Sequence, residues 1–237
     1  MSKTATLGIY IPSYKRAATA TTHNLLERHV YVVRESEEAA YREHGITSIL
    51  AVEDSQINSV VKVNRWLIEN APEDLIAILD DDLHHFYHRL ESNVVIDSPE
   101  IIMSEIERIA QIMLDLSIGY AATDPTTAPW NYNSEFEFKG TSGGMRWVNR
   151  KAFKAKLRED VEFNWDLDVV LQELLYNRII LKPKYFCSKG LTDTNAGGLS
   201  DKKRSQQVAS INLMKIRWGK YFAYNFDSNK PYIRVKR

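Results

Sequence analysis

LIAILDDDLHHF, Leu75 to Phe86, is the stretch from which the fold is read. Its leading apolar residues, Leu75 to Leu79, are too short a run for a free-standing helix and suit a strand buried on both faces of a parallel sheet. Such a strand delivers Asp80, Asp81 and Asp82 to the carboxyl edge of the sheet, where open α/β sheets bind ligands. Three adjacent carboxylates repel one another, and crowding them there costs free energy unless a cation or strong donors compensate. Side chains alternate along an extended segment, which places Asp80 and Asp82 on one side, able to share Mg²⁺ or Mn²⁺, and Asp81 on the other. The plain alternative is a solvated acidic turn.

Upstream, TLGIYI (Thr6 to Ile11) reads as a first strand that breaks at Pro12 into a polar, basic loop. In that loop Ser13 and Tyr14 suit a nucleotide base or ribose, and Lys15 or Arg16 a phosphate; a simple surface loop is the other reading. Asn24 to His29 is a short helical piece. VYVV (Val30 to Val33) is a second strand running into Arg34, Glu35 and Ser36, and SILAV (Ser48 to Val52) is a third. A helix from about Glu37 to His44, stopped by Gly45, and another from Ile57 to Pro72 separate them. Strands alternating with helices over short connections predict a mixed, mostly parallel Rossmann-type sheet flanked by helices.

Downstream, the spacing of His84 and His88 puts them on one helical face, which suits polar residues closing off the sheet edge in preference to a second metal site. Pro99 opens an amphipathic helix with Ile102, Ile106, Ile109, Ile112, Met113 and Leu116 as its buried stripe. Gly119 to Thr123 is a strand, and the polar loop Asp124 to Glu135 carries Trp130 and Tyr132, suited to an acceptor. Phe136 to Lys139 returns as strand, and Gly143 with Gly144 permits a tight turn close to a ligand, or a turn and no more. Trp147, Val148 and Phe153 suit the core. Asp166 and Asp168 precede a helical run from Val169, so one can cap the helix while the other projects into a cleft. Ile179 to Pro183 is an edge strand. In Thr192 to Arg204, Gly197, Gly198, Lys202, Lys203 and Arg204 make a donor-rich segment able to fold over a diphosphate. No GxxxxGK[ST] occurs.

The 237 residues, 44% hydrophobic, have room for a real core, and 31 basic against 31 acidic residues exclude a polycation. Basic residues gather in the tail, however: ten lie from Leu199 to Arg237, against Asp201 and Asp227. Cys187, the single cysteine, excludes an intrachain disulfide and fits a reducing cytoplasm. No apolar run approaches ~18 residues, so a cytoplasmic protein without a membrane span is expected.

A basic loop after the first strand, LDDD after the fourth, GTSGGM, then an acidic pair at a helix start: in this order the parts resemble the GT-A-fold nucleotide-sugar glycosyltransferases. The resemblance covers nearly the whole chain. It implies a Mn²⁺- or Mg²⁺-dependent transfer of a hexose or pentose from a nucleotide-sugar, with UDP-sugars the first donors to consider. It assigns Asp80 or Asp81 to the ribose, Asp82 to the metal, and the general base to Asp166 with Asp168 in reserve. The donor would meet Pro12, Ser13, Tyr14, Arg16, Glu35, Gly143, Gly144, Gly197, Gly198, Lys202 and Arg204. More narrowly, IPSYKR, LDDD, the NAGG segment and WGKYF with a basic end resemble the phage TET-associated glycosyltransferases. That resemblance implies 5-hydroxymethylcytosine in DNA as acceptor, in the host cytoplasm; from composition, Trp130 and Tyr132 of the polar loop and Lys215, Arg217 and Lys220 of the basic tail are the residues offered to meet it. It divides the chain into a glycosyltransferase domain over 1–198 and a basic aromatic segment over 199–237 packed on it. A non-DNA acceptor, a nucleotidyltransferase and a non-catalytic DNA-binding protein are the competing classes. The first glycine after Gly8 is Gly45, which speaks against the Gly-rich phosphate loop of a nucleotidyltransferase. A binding protein leaves both acidic clusters without a purpose.

Overall fold

The computed structural model describes residues 5–89, 91–124, 132–190 and 204–236. β1 (Leu7–Pro12) leads through a 3₁₀ turn at Thr22–Leu25 to β2 (Val30–Arg34), α1 (Glu38–Glu43), β3 (Ile49–Val52), α2 (Val60–Asn70) and β4 (Leu75–Leu79). Then come β5 (Leu83–Arg89), β6 (Asn93–Ile96), α3 (Pro99–Asp115), β7 (Tyr120–Ala122), β8 (Phe136–Glu137) and β9 (Met145–Asn149). A 3₁₀ segment (Glu159–Asn164) enters α4 (Trp165–Tyr176), followed by β10 (Lys182–Pro183), β11 (Phe186–Gly190), α5 (Arg204–Trp218), β12 (Phe222–Asn225) and β13 (Lys230–Ile233).

The main sheet has the order β3-β2-β1-β4-β9-β7. β1 to β4 are parallel, while β9 runs antiparallel to both of its neighbours. Every residue of β4 is buried, which is why that stretch carries no polar side chain before Asp80. Alternation sorts its side chains between two cores: Leu75, Ala77 and Leu79 pack with α3, and Ile76 and Ile78 with α2 and α4. Helices therefore cover both faces, as a mostly parallel sheet requires. α3 begins where its signals place it, with Ser98 Oγ accepting from Ile101 N at 3.3 Å and Pro99 in the first turn. Its buried stripe ends at Met113, because Leu116 falls beyond the last turn and is 63% exposed.

Leu83 to Ile96 is where the sequence misleads. Leu83–Arg89 and Asn93–Ile96 form β5 and β6 of an antiparallel sheet of order β11-β5-β6, so His84 and His88 are strand residues and not helical neighbours. Four strand residues span about 13 Å, too far for both to hold one metal. His88 instead meets Glu105 of α3 at 3.1 Å. At the chain's end, Ile211 and Met214 of α5 and Phe222 of β12 pack on Leu167 and Leu171 of α4. Among the described residues no helix is long and apolar enough to cross a membrane.

Candidate active site

β4 stops at Leu79, and the chain turns at Asp81 and Asp82 into β5. Thr22 holds that turn: its Oγ1 donates to the Asp80 carbonyl at 2.6 Å and accepts from Leu83 N at 2.9 Å. The Thr21 N–H donates to the Asp81 carbonyl at 2.9 Å. The segment turns here, and each of the three carboxylates has its own environment. Neither threonine is marked by any local pattern in the sequence.

Asp81 faces inward, its side chain only 5% exposed. It accepts from Ser13 Oγ and from Arg16 Nη1, the latter at 2.8 Å, while Ser13 Oγ accepts from Tyr41 OH at 2.6 Å. Burial raises its carboxyl above the ordinary range, with Ser13 and Arg16 pulling the other way. Arg16 also reaches Asp82 at 3.3 Å. Ser13 and Arg16, expected at base and phosphate, thus bond the aspartates, with Arg16 Nε left over. Asp82 is pushed up to about 6 by burial and then by the charges of Asp80 and Asp81.

Asp80 is the open carboxylate, 44% exposed, and it accepts from Arg146 Nη2 at 2.8 Å. Arg146 sits on β9 opposite Ile78, with its guanidinium 5.0 Å from the ring centroid of Trp165 at the start of α4. It escaped the sequence reading, although a charged residue within the apolar run Met145 to Val148 is a usable signal. Burial opposes its charge, but Asp80, Tyr120 and Asp166 more than offset this and hold its pKa above the ordinary value. Asp166 lies in the first turn of α4, pushed up to about 6 by burial, with Arg146 and the N–H groups of Leu167 and Asp166 acting against the rise and Asp80 adding to it. The two acidic clusters, far apart in sequence, both act on Arg146, Asp80 through a hydrogen bond and Asp166 through its charge.

Asp168 does something else. It is 1% exposed, and its carboxylate accepts from Trp218 Nε1 and Gln172 Nε2, both at 2.8 Å, with Arg158 at 3.4 Å. It anchors α5 to α4 and is not placed to serve as a reserve base. α4 begins at Trp165, not at Val169, so both aspartates are inside the helix and Asn164 holds the capping position.

Gly143 and Gly144 are small because of the chain itself: a Cβ on Gly143 would lie 2.8 Å from the Thr123 carbonyl, and one on Gly144 3.3 Å from Asp80 Oδ2. Pro12 closes β1, and the following Tyr14 carries the Arg34 guanidinium 3.9 Å from its ring centroid. Glu35 is exposed just beyond β2. Tyr132 packs on the core. Lys215 and Lys220 are exposed, as is Arg204 at the start of α5, whereas Arg217 pairs with Asp160 at 2.7 Å and is not a free cation. Trp130, Gly197, Gly198, Lys202 and Lys203 lie outside the described residues. Among the described residues no three His, Cys, Asp or Glu side chains could by themselves hold a metal. Arg16, Arg34 and Arg146 each bury an Nε that has no hydrogen-bond partner among those residues.

No protein-family profile and no curated protein matches this chain. Solved structures do. Glucosyl-3-phosphoglycerate synthase from Mycobacterium tuberculosis, in complex with Mn²⁺, UDP-glucose and phosphoglyceric acid, superposes with a TM-score of 0.55 at 7% identity, covering 98% of this chain and 88% of that one. The same enzyme with Mg²⁺ and UDP gives 0.51 at 8% identity, over 97% and 87% of the two chains. The fold is GT-A-like. Asp80 and its partner Arg146 stand at the carboxyl edge of β4, the edge at which open α/β sheets bind ligands.

Proposed function

We propose that this chain is a metal-dependent glycosyltransferase that moves a sugar from a nucleotide-sugar, a UDP-sugar first, to a hydroxyl on 5-hydroxymethylcytosine in DNA. Arg146 carries the reading: a buried guanidinium that bonds the open Asp80 at the sheet edge and lies in the field of Asp166 at the start of α4. The neighbours of the same fold, holding UDP or UDP-glucose with Mn²⁺ or Mg²⁺, support the donor class.

Tyr14, backed by Arg34, offers a flat face for the nucleotide base. Asp81 is internal, so Asp80 is the aspartate open to the ribose and the metal edge. Asp80 and Asp82 would hold the metal: both are hard oxygen donors, and the repulsion that raises Asp82 is of the kind a divalent cation relieves. When bound, that ion offsets the charge growing on the departing diphosphate. Two carboxylates leave coordination positions for the diphosphate oxygens, as Mg²⁺ sites commonly do. The buried, unpartnered Nε groups of Arg16, Arg34 and Arg146 fit an edge that receives an anion.

Asp166, ionised at neutral pH, takes the proton from the acceptor hydroxyl as the new C–O bond forms. Direct attack inverts the anomeric carbon. The DNA acceptor rests on the phage TET-associated resemblance and on the exposed Lys215 and Lys220 of the C-terminal segment. A flipped-out base would bring its hydroxymethyl group to the edge.

The test incubates purified chain with Mn²⁺, a panel of UDP- and GDP-sugars, and DNA containing cytosine or 5-hydroxymethylcytosine, read by nucleoside mass spectrometry. A hexose or pentose mass gained only on the modified base, and lost in Asp82→Ala and Asp166→Asn, supports the whole reading. Release of UDP without a change in the DNA keeps the transferase and removes the DNA acceptor. No turnover with any donor removes both.

A further inference from the structure

The last strand places its cations on one face, which the sequence count of the tail does not show. In β13 and the residues after it, Lys230, Tyr232, Arg234 and Lys236 are exposed, while Pro231, Ile233 and Val235 are partly buried in turn. The pairing settles which face is which. Phe222 opposite Ile233 points inward, and Ile233 and Val235 pack with the cluster under α5. Ala223 opposite Tyr232 and Asn225 opposite Lys230 therefore point outward. Arg234 N donates to the Tyr221 carbonyl at 2.9 Å, so the ladder and its alternation continue past the strand's end. The outward face of this two-stranded ribbon and its extension holds three cations and two aromatic rings, Tyr221 and Tyr232, and no acidic side chain among the described residues.

We infer that this face of the β12–β13 ribbon docks duplex DNA, with Lys230, Arg234 and Lys236 on phosphates and Tyr232 between them. The inference rests on the DNA acceptor proposed above. Charge names the partner: none of the three cations has an ion-pair partner among the described residues, and Asp227, the only acid from Arg204 to Lys236, lies in the hairpin turn. Shape agrees, since the major groove of B-DNA, about 12 Å wide, admits a two-stranded ribbon. Alternate strand residues recur about every 7 Å, so the cations can line up along a backbone that carries one charge per ~1.7 Å of duplex. The ribbon is tied to the candidate catalytic helix: the 2.8 Å bond from Trp218 to Asp168 and the packing of Phe222 on α4 join it to the element that carries Asp166. Docked DNA is thereby held in register with the proposed base. Lys215 lies 4.9 Å from the ring of Phe226, whose side chain is exposed beside the same hairpin turn.

The experiment measures binding of the full chain to a 5-hydroxymethylcytosine duplex by fluorescence anisotropy from 50 to 300 mM salt, for the wild type and for K230Q/R234Q/K236Q. Losing three phosphate contacts should flatten the slope of log Kobs against log salt by about 2.7 and weaken binding at least tenfold at low salt. The side chains are exposed, so Tm should not change, and Tyr232→Glu offers a second single-site variant on the same face. An unchanged slope in the triple variant overturns the inference, as does a wild type that ignores duplex DNA. Preference for single strands, double-stranded RNA or anionic phospholipid vesicles overturns it too. Duplex binding through the ribbon without sugar transfer leaves the docking face standing and removes the transferase reading.

Discussion

Asp166 shows how one carboxylate can be costly to the fold and useful to the chemistry. Its carboxyl is raised to about 6 by burial, against an ordinary value near 3.8. The native state therefore holds this proton more tightly than the unfolded chain, and stability falls as pH rises from about 4 to about 6, with the full cost present above that window. Asp166→Asn should then be more stable than the wild type at pH 7 by on the order of 1–3 kcal/mol, a gain that vanishes below about pH 4. Urea unfolding at the two pH values checks it. The same substitution should lower turnover by roughly 10²–10⁴, and wild-type turnover should fall on the acid side of about pH 6 as the base is protonated. A substitution that lowers stability at pH 7 while sparing turnover would make Asp166 a helix-terminus residue and no more.

At the scale of elements, two clusters of buried charge hold parts together. Asp168 ties α4 to α5 through Trp218, so Asp168→Ala, which leaves the Trp218 and Gln172 N–H groups without their acceptor, should loosen that joint, costing about 1–3 kcal/mol. Turnover on a small hydroxyl acceptor should survive this change far better than it survives Asp166→Asn, and the contrast separates anchor from base. At the end of β7, Asp124 is 4% exposed and lies within 3.0 Å of Lys184, 3.3 Å of Arg89 and 3.5 Å of Lys182. Burial lowers the pKa of Lys182, while Asp124 and Glu137 act to raise it. Asp124→Ala leaves these cations crowded without their central anion and should cost about 3–5 kcal/mol, measured by denaturant unfolding. β5 and β6 show where element-level reading failed. The histidines of LHHFYH obscured the alternation, and only the pairing of β5 with β11 and β6 shows strand.

For the molecule as a whole, donor and metal should bind the native state and not the unfolded chain, so Mn²⁺ with UDP should raise Tm more than either alone. At a hundredfold excess over Kd the gain is about 2.7 kcal/mol, or roughly 5–10 °C for a domain of this length. Asp82→Ala should lose the synergy in a thermal-shift titration. The sequence by itself determined that β4 is a strand buried on both faces, that a triple carboxylate follows it at the sheet edge, and that a second acidic pair opens a later helix. Those features are local: a five-residue apolar run and a helical period can be read without knowing what they touch. Tertiary structure alone decided that Asp80 is open and Asp81 closed, that Arg146 bonds Asp80 and feels the charge of Asp166, that Asp168 and Arg217 serve packing, and that Lys230, Arg234 and Lys236 share one face at the ribbon. The reason is physical. Whether a carboxylate is a base, a ligand or an anchor depends on which donors reach it, and here those donors arrive from strands and helices distant in the chain.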